Sequence, residues 1–214
     1  MYDGIVFDFD GVIADSMPPQ ERCWRASVRD VIGDAREQIE TQIVENLYKG
    51  FAGEQMFRSI DLSFEQKKNL RVTKDEMWNE IRNSTPLMAG ANEALKRLSR
   101  RYSLFIATTA NRQYVDAVLA REALESVFAI VLTNADVPKP KPHPDMLNRI
   151  MSDSGIVKAR ILMVGDSESD LQMAKNADIS FMPFGAGWSS KIAAEMNGAA
   201  NWQELGHRLL AAED

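Results

Sequence analysis

The sequence predicts a doubly wound α/β fold, an open parallel sheet with helices on both faces, interrupted by one α-helical insertion. Three observations carry this. Five short apolar runs are continuous rather than alternating, as strands buried on both faces of a parallel sheet must be. Amphipathic helical patterns lie between the later runs, the alternation expected of repeated strand–helix–strand units. Between Asp15 and Pro86 that alternation stops and only helical patterns remain.

The first run is GIVFDF at 4–9. The strand-free stretch then offers Val28, Val31 and Ile32; Ile39, Ile43 and Leu47; Met56, Phe57 and Ile60; and Met77, Trp78 and Ile81, with Gly33, Gly50 and Gly53 as breaks. Each group falls at helical spacing. About 70 residues suffice for a small domain, so the expected organisation is a core of 1–14 and 87–214 with a helical domain at 15–86. Past Pro86, Ala91, Ala94, Leu95 and Leu98 mark one helix face before the run SLFIAT at 103–108. Val115, Val118 and Leu119 form another face before AIVLT at 129–133. Leu147, Ile150 and Met151 follow Pro144, a good first-turn residue, and lead to ILMVG at 161–165. Leu171 and Ala174 precede the last run, ISFMP at 179–183.

Composition narrows the function classes. The 214 residues are 45% hydrophobic and 26% charged, ordinary for a globular protein. A net charge of −6 gives no basic field for nucleic acid or an anionic membrane surface. One cysteine, Cys23, permits neither an intrachain disulfide nor a thiolate cluster. With only two histidines, His143 and His207, far apart in sequence, a metal would be a hard cation on oxygen ligands. No stretch has the length of a membrane span. The first residues lack the basic segment of a signal peptide and meet Asp8 within their apolar run. A cytoplasmic protein, a monomer or homodimer, is expected.

In open α/β sheets, ligands bind outside the carboxyl ends of the strands. Asp8 and Asp10 follow the first run, Thr108 and Thr109 the second, Lys139 and Lys141 a loop after the third, and Asp166 and Asp170 the fourth. Singly, each has a structural explanation: Asp and Thr cap helices, and lysines among prolines are usually solvated. Together, the carboxylates can share a Mg²⁺, while a hydroxyl and an ammonium donate to phosphoryl oxygens. That combination suits phosphoryl transfer, in which the protein mainly positions groups and neutralises charge.

FDFDGV, IATT, KPHPD and VGDSESD, in that order and each after a strand, resemble the four motifs of the haloacid dehalogenase superfamily. The likeness extends over essentially the whole chain, including the helical cap inserted after the first motif and the closing GAANWQEL. The subgroup it resembles contains phosphoglycolate phosphatases and β-phosphoglucomutases with small helical caps, on a Rossmann-like core. The resemblance implies that Asp8 is the nucleophile, forming an aspartyl-phosphate. It implies that Asp10 is the general acid and base. Thr108 matches the hydroxyl motif, with Thr109, Asn111 and Gly11 as further substrate contacts. The spacing of KPHPD in the family selects Lys141 over Lys139. The implied Mg²⁺ ligands are Asp8, the Asp10 backbone carbonyl and Asp166, with Asp170 nearby or acting through water. Gly185 and Gly187 resemble the family's loop after the fifth strand.

The same superfamily holds dehalogenases, mutases and transport ATPases, so fold does not settle the reaction. Dehalogenases resembling this chain lack the second aspartate, which Asp10 supplies here. Resembling sugar-phosphate mutases carry a histidine where DSMPPQERCW has Gln20. The expected function is hydrolysis of a small phosphorylated metabolite, phosphoglycolate being the family-level substrate. The alternatives are a mutase or phosphonate-type hydrolase on the same scaffold, or a non-catalytic binding module. His143 reads as a loop residue packed against prolines, Arg112 as a solvated helix start or a contact to the substrate phosphate, and Trp24 and Trp78 as core of the helical insertion.

Overall fold

The computed structural model describes residues 2–49, 51, 53–185 and 195–210. Gly50 and Gly187 lie outside them. Contacts divide the chain into two compact units: Met1–Ala14 with Pro86–Asp214, and Asp15–Thr85.

The first unit is built on five parallel strands, β1 (Gly4–Phe7), β2 (Ser103–Ala107), β3 (Ile130–Leu132), β4 (Ile161–Gly165) and β5 (Ser180–Pro183), in the order β3-β2-β1-β4-β5. Gly4 pairs with both Ser103 and Ile161, so β1 is the central strand. The chain leaves β1 for β2 and β3 on one side, then returns to place β4 on the other. The carboxyl ends of β1 and β4 therefore meet where the order reverses, the position at which such sheets bind ligands.

Helices cover both faces because neighbouring strand residues point to opposite sides. On one side Val6, Phe105 and Met163 pack with Met146, Leu147 and Ile150 of α6 (Asp145–Ser154) and Leu171 and Ala174 of α7 (Glu168–Ala177). On the other, Phe7 meets Trp202 of α8 (Trp202–Leu210) with ring centroids 5.4 Å apart. The Trp202 indole N–H also donates to the Val12 carbonyl at 2.7 Å, tying the chain's closing helix to the turn after β1. Helix α4 (Ala91–Leu98) buries Ala91, Leu95 and Leu98, and α5 (Arg112–Arg121) buries Tyr114, Val115, Val118 and Leu119.

The strand β1 is shorter than the apolar run suggests. After Phe7 the Asp8 N–H still donates to Val164 O at 3.0 Å, and the chain then turns. Ile13 and Ala14 N–H both return to the Phe9 carbonyl, at 2.9 and 2.8 Å, and Gly11 N–H bonds Ala14 O at 2.9 Å. These bonds satisfy the backbone of a segment that has left the sheet.

The second unit contains α1 (Met17–Ile32), α2 (Glu37–Tyr48) and α3 (Phe64–Ile81). Trp24, Val28, Ile43, Leu47, Met56, Phe57, Leu62 and Leu70 form its core. Helix α3 begins with a capping box: Ser63 Oγ accepts from Gln66 N–H at 3.2 Å, and Gln66 Oε1 accepts from Ser63 N–H at 2.9 Å. The helix expected across Met56, Phe57 and Ile60 is instead one short 3₁₀ segment, Gly53–Phe57. Ser59, at φ 65°, takes the left-handed conformation and stops it before Ile60.

Candidate active site

The turn that ends β1 places Asp8 at the switch point, only 8% exposed, with its Oδ1 accepting from Phe9 N–H at 2.7 Å. Strand β4 ends beside it and delivers Asp166. One carboxylate oxygen from each of Asp8, Asp166 and Asp170 falls within 4.8 Å of the others. This convergence requires two glycines. Gly11 has φ +76°, and a Cβ there would stand 2.1 Å from Asp166 Oδ2. A Cβ on Gly165 would stand 2.5 Å from the Cβ of Asp170. Both are closer than atoms can approach, so the carboxylate cluster exists because these residues lack side chains.

Two buried carboxylates, Asp8 and Asp170, and the half-buried Asp166 need compensation, and Lys141 supplies part of it. Its side chain is 2% exposed, with Nζ 2.8 Å from Asp8 Oδ1 and 2.6 Å from Asp170 Oδ1. Lys139 is exposed, so the loop after β3 delivers Lys141 to the cluster and leaves Lys139 outside. Burial works against the Lys141 charge, but Asp170 and Asp8 outweigh it and hold the ammonium above its usual range. One ammonium does not balance the cluster. Burial first, then the Asp170 charge, pushes Asp8 up to about 7 from an ordinary 3.8. Asp166 is also pushed well above its usual range, by burial and then by Asp8.

Asp170 is fully buried and fixed by its own helix. Its Oδ2 accepts from Ser167 Oγ at 2.7 Å and Ser167 N–H at 3.2 Å, completing the capping box that starts α7. With Oδ1 on Lys141, both oxygens are engaged. Asp170 thus orients the lysine as well as standing in the acidic cluster.

Asp10 is half-buried, and its Oδ1 accepts from the hydroxyl of Tyr114 at 3.1 Å. Tyr114 is 1% exposed and lies edge-on to Phe9, centroids 5.3 Å apart. This partner escaped the sequence reading, since nothing in a sequence joins two residues 104 positions apart. Thr108, at the end of β2, is buried, and its Oγ1 accepts from Ala110 N–H at 3.1 Å. Thr109 and Asn111 are exposed in the following loop. The Asn111 side-chain oxygen caps α5, accepting from Gln113 and Tyr114 N–H at 3.0 and 3.4 Å. Asn134 Nδ2 donates to Thr109 O at 3.2 Å and steadies that loop.

Arg112, read from the sequence as either a phosphate contact or a solvated helix start, is held by protein partners. Its Nη2 donates to Val131 O at 2.8 Å and to Asp136 at 3.0 Å, while Asp136 also accepts from the Thr133 backbone and hydroxyl. This network joins the ends of β2 and β3. His143 is a loop residue, half-exposed, with Nδ1 3.2 Å from Asp145. Gly185 has φ +82° just after β5.

The family profile of the haloacid dehalogenase-like hydrolases matches residues 5–183. A phosphoglycolate phosphatase of Vibrio vulnificus is 28% identical over 192 residues, covering 81% of this chain and 79% of the relative. One from Nitrosococcus oceani is 28% identical over 203 residues, covering 88% and 86%. Among solved structures, a HAD-superfamily hydrolase of subfamily IA, variant 1, from Geobacter sulfurreducens superposes with a TM-score of 0.72 at 24% identity, covering 97% of this chain and 96% of that one. That last likeness is one of fold.

Proposed function

The chain belongs to the haloacid dehalogenase-like hydrolases and is a phosphatase. On that premise we propose that it hydrolyses a small phosphorylated metabolite of the phosphoglycolate type, with Mg²⁺, through a phosphoryl group carried on Asp8. The observation that supports this reading best is the arrangement around Asp8: a buried carboxylate, 2.8 Å from the Lys141 ammonium, in a cluster with Asp166 and Asp170.

The cluster fits a hard divalent cation. It gathers three carboxylates within 4.8 Å against one ammonium, and burial together with the neighbouring carboxylates pushes Asp8 and Asp166 upward. Asp8, Asp166 and the Asp10 backbone carbonyl would hold the ion, with Asp170 behind them; when bound, it would offset repulsion between Asp8 and the anionic phosphate.

An Asp8 carboxylate oxygen forms the new bond to phosphorus as the bond to the substrate oxygen breaks. The Asp10 carboxyl gives its proton to the departing alkoxide. Asp10 then takes a proton from water, whose oxygen attacks the Asp8-bound phosphorus, releasing phosphate and restoring the Asp8 carboxylate. Lys141 keeps Asp8 in place and neutralises charge at the phosphoryl oxygens. The Thr108 hydroxyl donates to those oxygens, with Gly11, Thr109 and Asn111 as surrounding substrate contacts.

Asp10 favours ester hydrolysis over dehalogenation, since a halide leaving group needs no proton. Gln20, in place of the histidine of the mutases it resembles, weighs against phosphoryl return to a sugar. The test is phosphate release from a panel of phosphoesters with Mg²⁺, alone and with EDTA. Release that EDTA abolishes supports the reading, and no release from any ester with Mg²⁺ present would overturn it.

A further inference from the structure

The turn after β1 carries Asp10, and its own bonds give it a shape but not a position. Ile13 and Ala14 N–H close on the Phe9 carbonyl, and Gly11 N–H on Ala14 O. Those bonds would survive a tilt of the whole turn. Its position depends on bonds to other segments. Asp8 N–H donates to Val164 O at the root of the turn, and Met88 N–H donates to Ile13 O at 2.8 Å near its end. Between these two, the Val12 carbonyl accepts at 2.7 Å from the indole N–H of Trp202, 190 positions away. Val12 is fully buried, so water offers its carbonyl no alternative donor.

Trp202 is held rigidly enough to set that position. It is 1% exposed, and its ring lies 5.4 Å from that of Phe7 and 5.7 Å from that of Phe184, centroid to centroid. Phe7 ends β1 and immediately precedes Asp8. Phe184 N–H donates at 2.9 Å to the carbonyl of Gly165, the residue before Asp166. One side chain with a single donor therefore packs against the strand end that delivers Asp8 and against a neighbour of the strand end that delivers Asp166. Through its N–H it also grips the turn that delivers Asp10. Only Gly11 separates Asp10 from Val12, and Gly11 has no room for even a Cβ beside Asp166. A change in the direction of the Val12 carbonyl is thus passed along the chain to Asp10.

We propose that Trp202 is a positioning residue for proton transfer: by holding the Val12 carbonyl, it fixes the Asp10 carboxyl relative to Asp8. The kinetic consequence rests on the phosphatase reading above, whereas the placement of the turn is a property of the protein alone. Lys141 and Thr108, which face the phosphoryl oxygens in that reading, lie on other segments. Loss of the indole N–H should therefore lower kcat and spare KM, and it should matter most where the leaving group needs a proton, since small misplacements of a reacting group are costly.

The experiment compares wild type with Trp202→Phe, which keeps a ring beside Phe7 and Phe184 and removes the donor. Hydrogen exchange is read by mass spectrometry on peptides spanning 9–14, in EDTA and without substrate. The Ile13 and Ala14 amides should exchange at least about tenfold faster in the variant, as a segment freed to open locally does. For phosphoglycolate, kcat should fall about tenfold, part of the roughly 10²–10⁴-fold that positioned proton transfer contributes, with KM within about twofold of wild type. For p-nitrophenyl phosphate, kcat should fall less than about threefold. Leu205→Ala is the control. Leu205 is fully buried on the same helix, and its side chain has no donor to give the turn. That variant should lose stability in urea while keeping the wild-type exchange of the turn and the wild-type ratio of the two kcat values. Should Trp202→Phe not fold, replacing Trp202 with benzothienylalanine, which has the indole shape with sulfur in place of the N–H, makes the same comparison. Unchanged exchange without the N–H, equal losses on the two esters, or the same pattern in Leu205→Ala overturns the proposal. A wild type that hydrolyses neither ester, with the turn's exchange still quickened in Trp202→Phe alone, would fail the phosphatase reading and keep the hold of Trp202 on the turn.

Discussion

Replacing Asp8 with asparagine should make the metal-free protein more stable at neutral pH while removing its activity. Folding carries Asp8 from an ordinary 3.8 to about 7, so between those values the folded chain holds a proton that the unfolded chain has released. Stability therefore falls as pH rises through that window, is highest below it, and levels off above about 7. The interval corresponds to about 4 kcal/mol at about 1.4 kcal/mol per tenfold change. The asparagine side chain has the shape of the protonated acid and no charge to desolvate, so the variant escapes this loss. It also lowers the burden on Asp166, whose carboxyl is held up by Asp8 after burial itself. Urea melts in EDTA at pH 4.5 and pH 8 measure the effect. The two proteins should differ by only about 1 kcal/mol at the lower pH, and Asp8→Asn should gain up to about 4 kcal/mol over wild type at the higher one. A variant less stable than wild type at pH 8, or a gap independent of pH, would refute the argument that the cluster carries unbalanced negative charge.

Other outcomes follow from the same geometry. Mg²⁺ should raise the melting temperature more at pH 8 than at pH 5, because carboxylates bind it only once deprotonated; thermal melts with and without EDTA check this. Gly11→Ala forces a Cβ to within 2.1 Å of Asp166 Oδ2 at φ +76° and should cost about 1–3 kcal/mol of stability and most of the activity; chemical denaturation and phosphate release measure both. Tyr114→Phe removes the hydroxyl 3.1 Å from Asp10 and should lower kcat for alkyl phosphates several-fold more than for p-nitrophenyl phosphate, whose leaving group needs little protonation. Equal losses on both substrates would assign Tyr114 a structural role alone.

The sequence made the sheet and its polar edge legible for a physical reason. A strand buried on both faces must be continuously apolar, so runs such as ILMVG mark themselves, and the residues that follow them must lie at the sheet's carboxyl edge. Asp8 and Asp166 could be placed on one edge on that ground, their pairing being what the family resemblance implied, and the structure sets β4 directly against β1. What stayed hidden depends on contacts between distant segments. Tyr114 reads as one more apolar helix position, and only the fold turns its hydroxyl toward Asp10. Arg112 reads as a helix start because its partners, Val131 O in β3 and Asp136 just after that strand, lie in a later segment. The capping box between Ser167 and Asp170 is local to one turn, yet the sequence reading passed over it. The pattern also discloses why Asp170 is held rigidly enough to orient Lys141. Trp24 belongs to the helical unit's core, whereas Trp78 is half-buried and outside that cluster, and that Lys74 lies near both rings could not be foreseen from spacing.

The central claim, that Asp8 carries the phosphoryl group, is tested most directly by trapping it. The full chain is mixed with p-nitrophenyl phosphate and Mg²⁺, quenched in acid during turnover, and its peptides are analysed by mass spectrometry. Asp10→Asn should accumulate the intermediate, since loss of the base slows attack by water more than attack on this good leaving group. The account predicts a hydroxylamine-sensitive phosphoryl group on Asp8 in both proteins, more in Asp10→Asn, and none in Asp8→Asn, which should release no phosphate. Phosphate release by Asp8→Asn at the wild-type rate, or a phosphoryl group found on another residue, would contradict it.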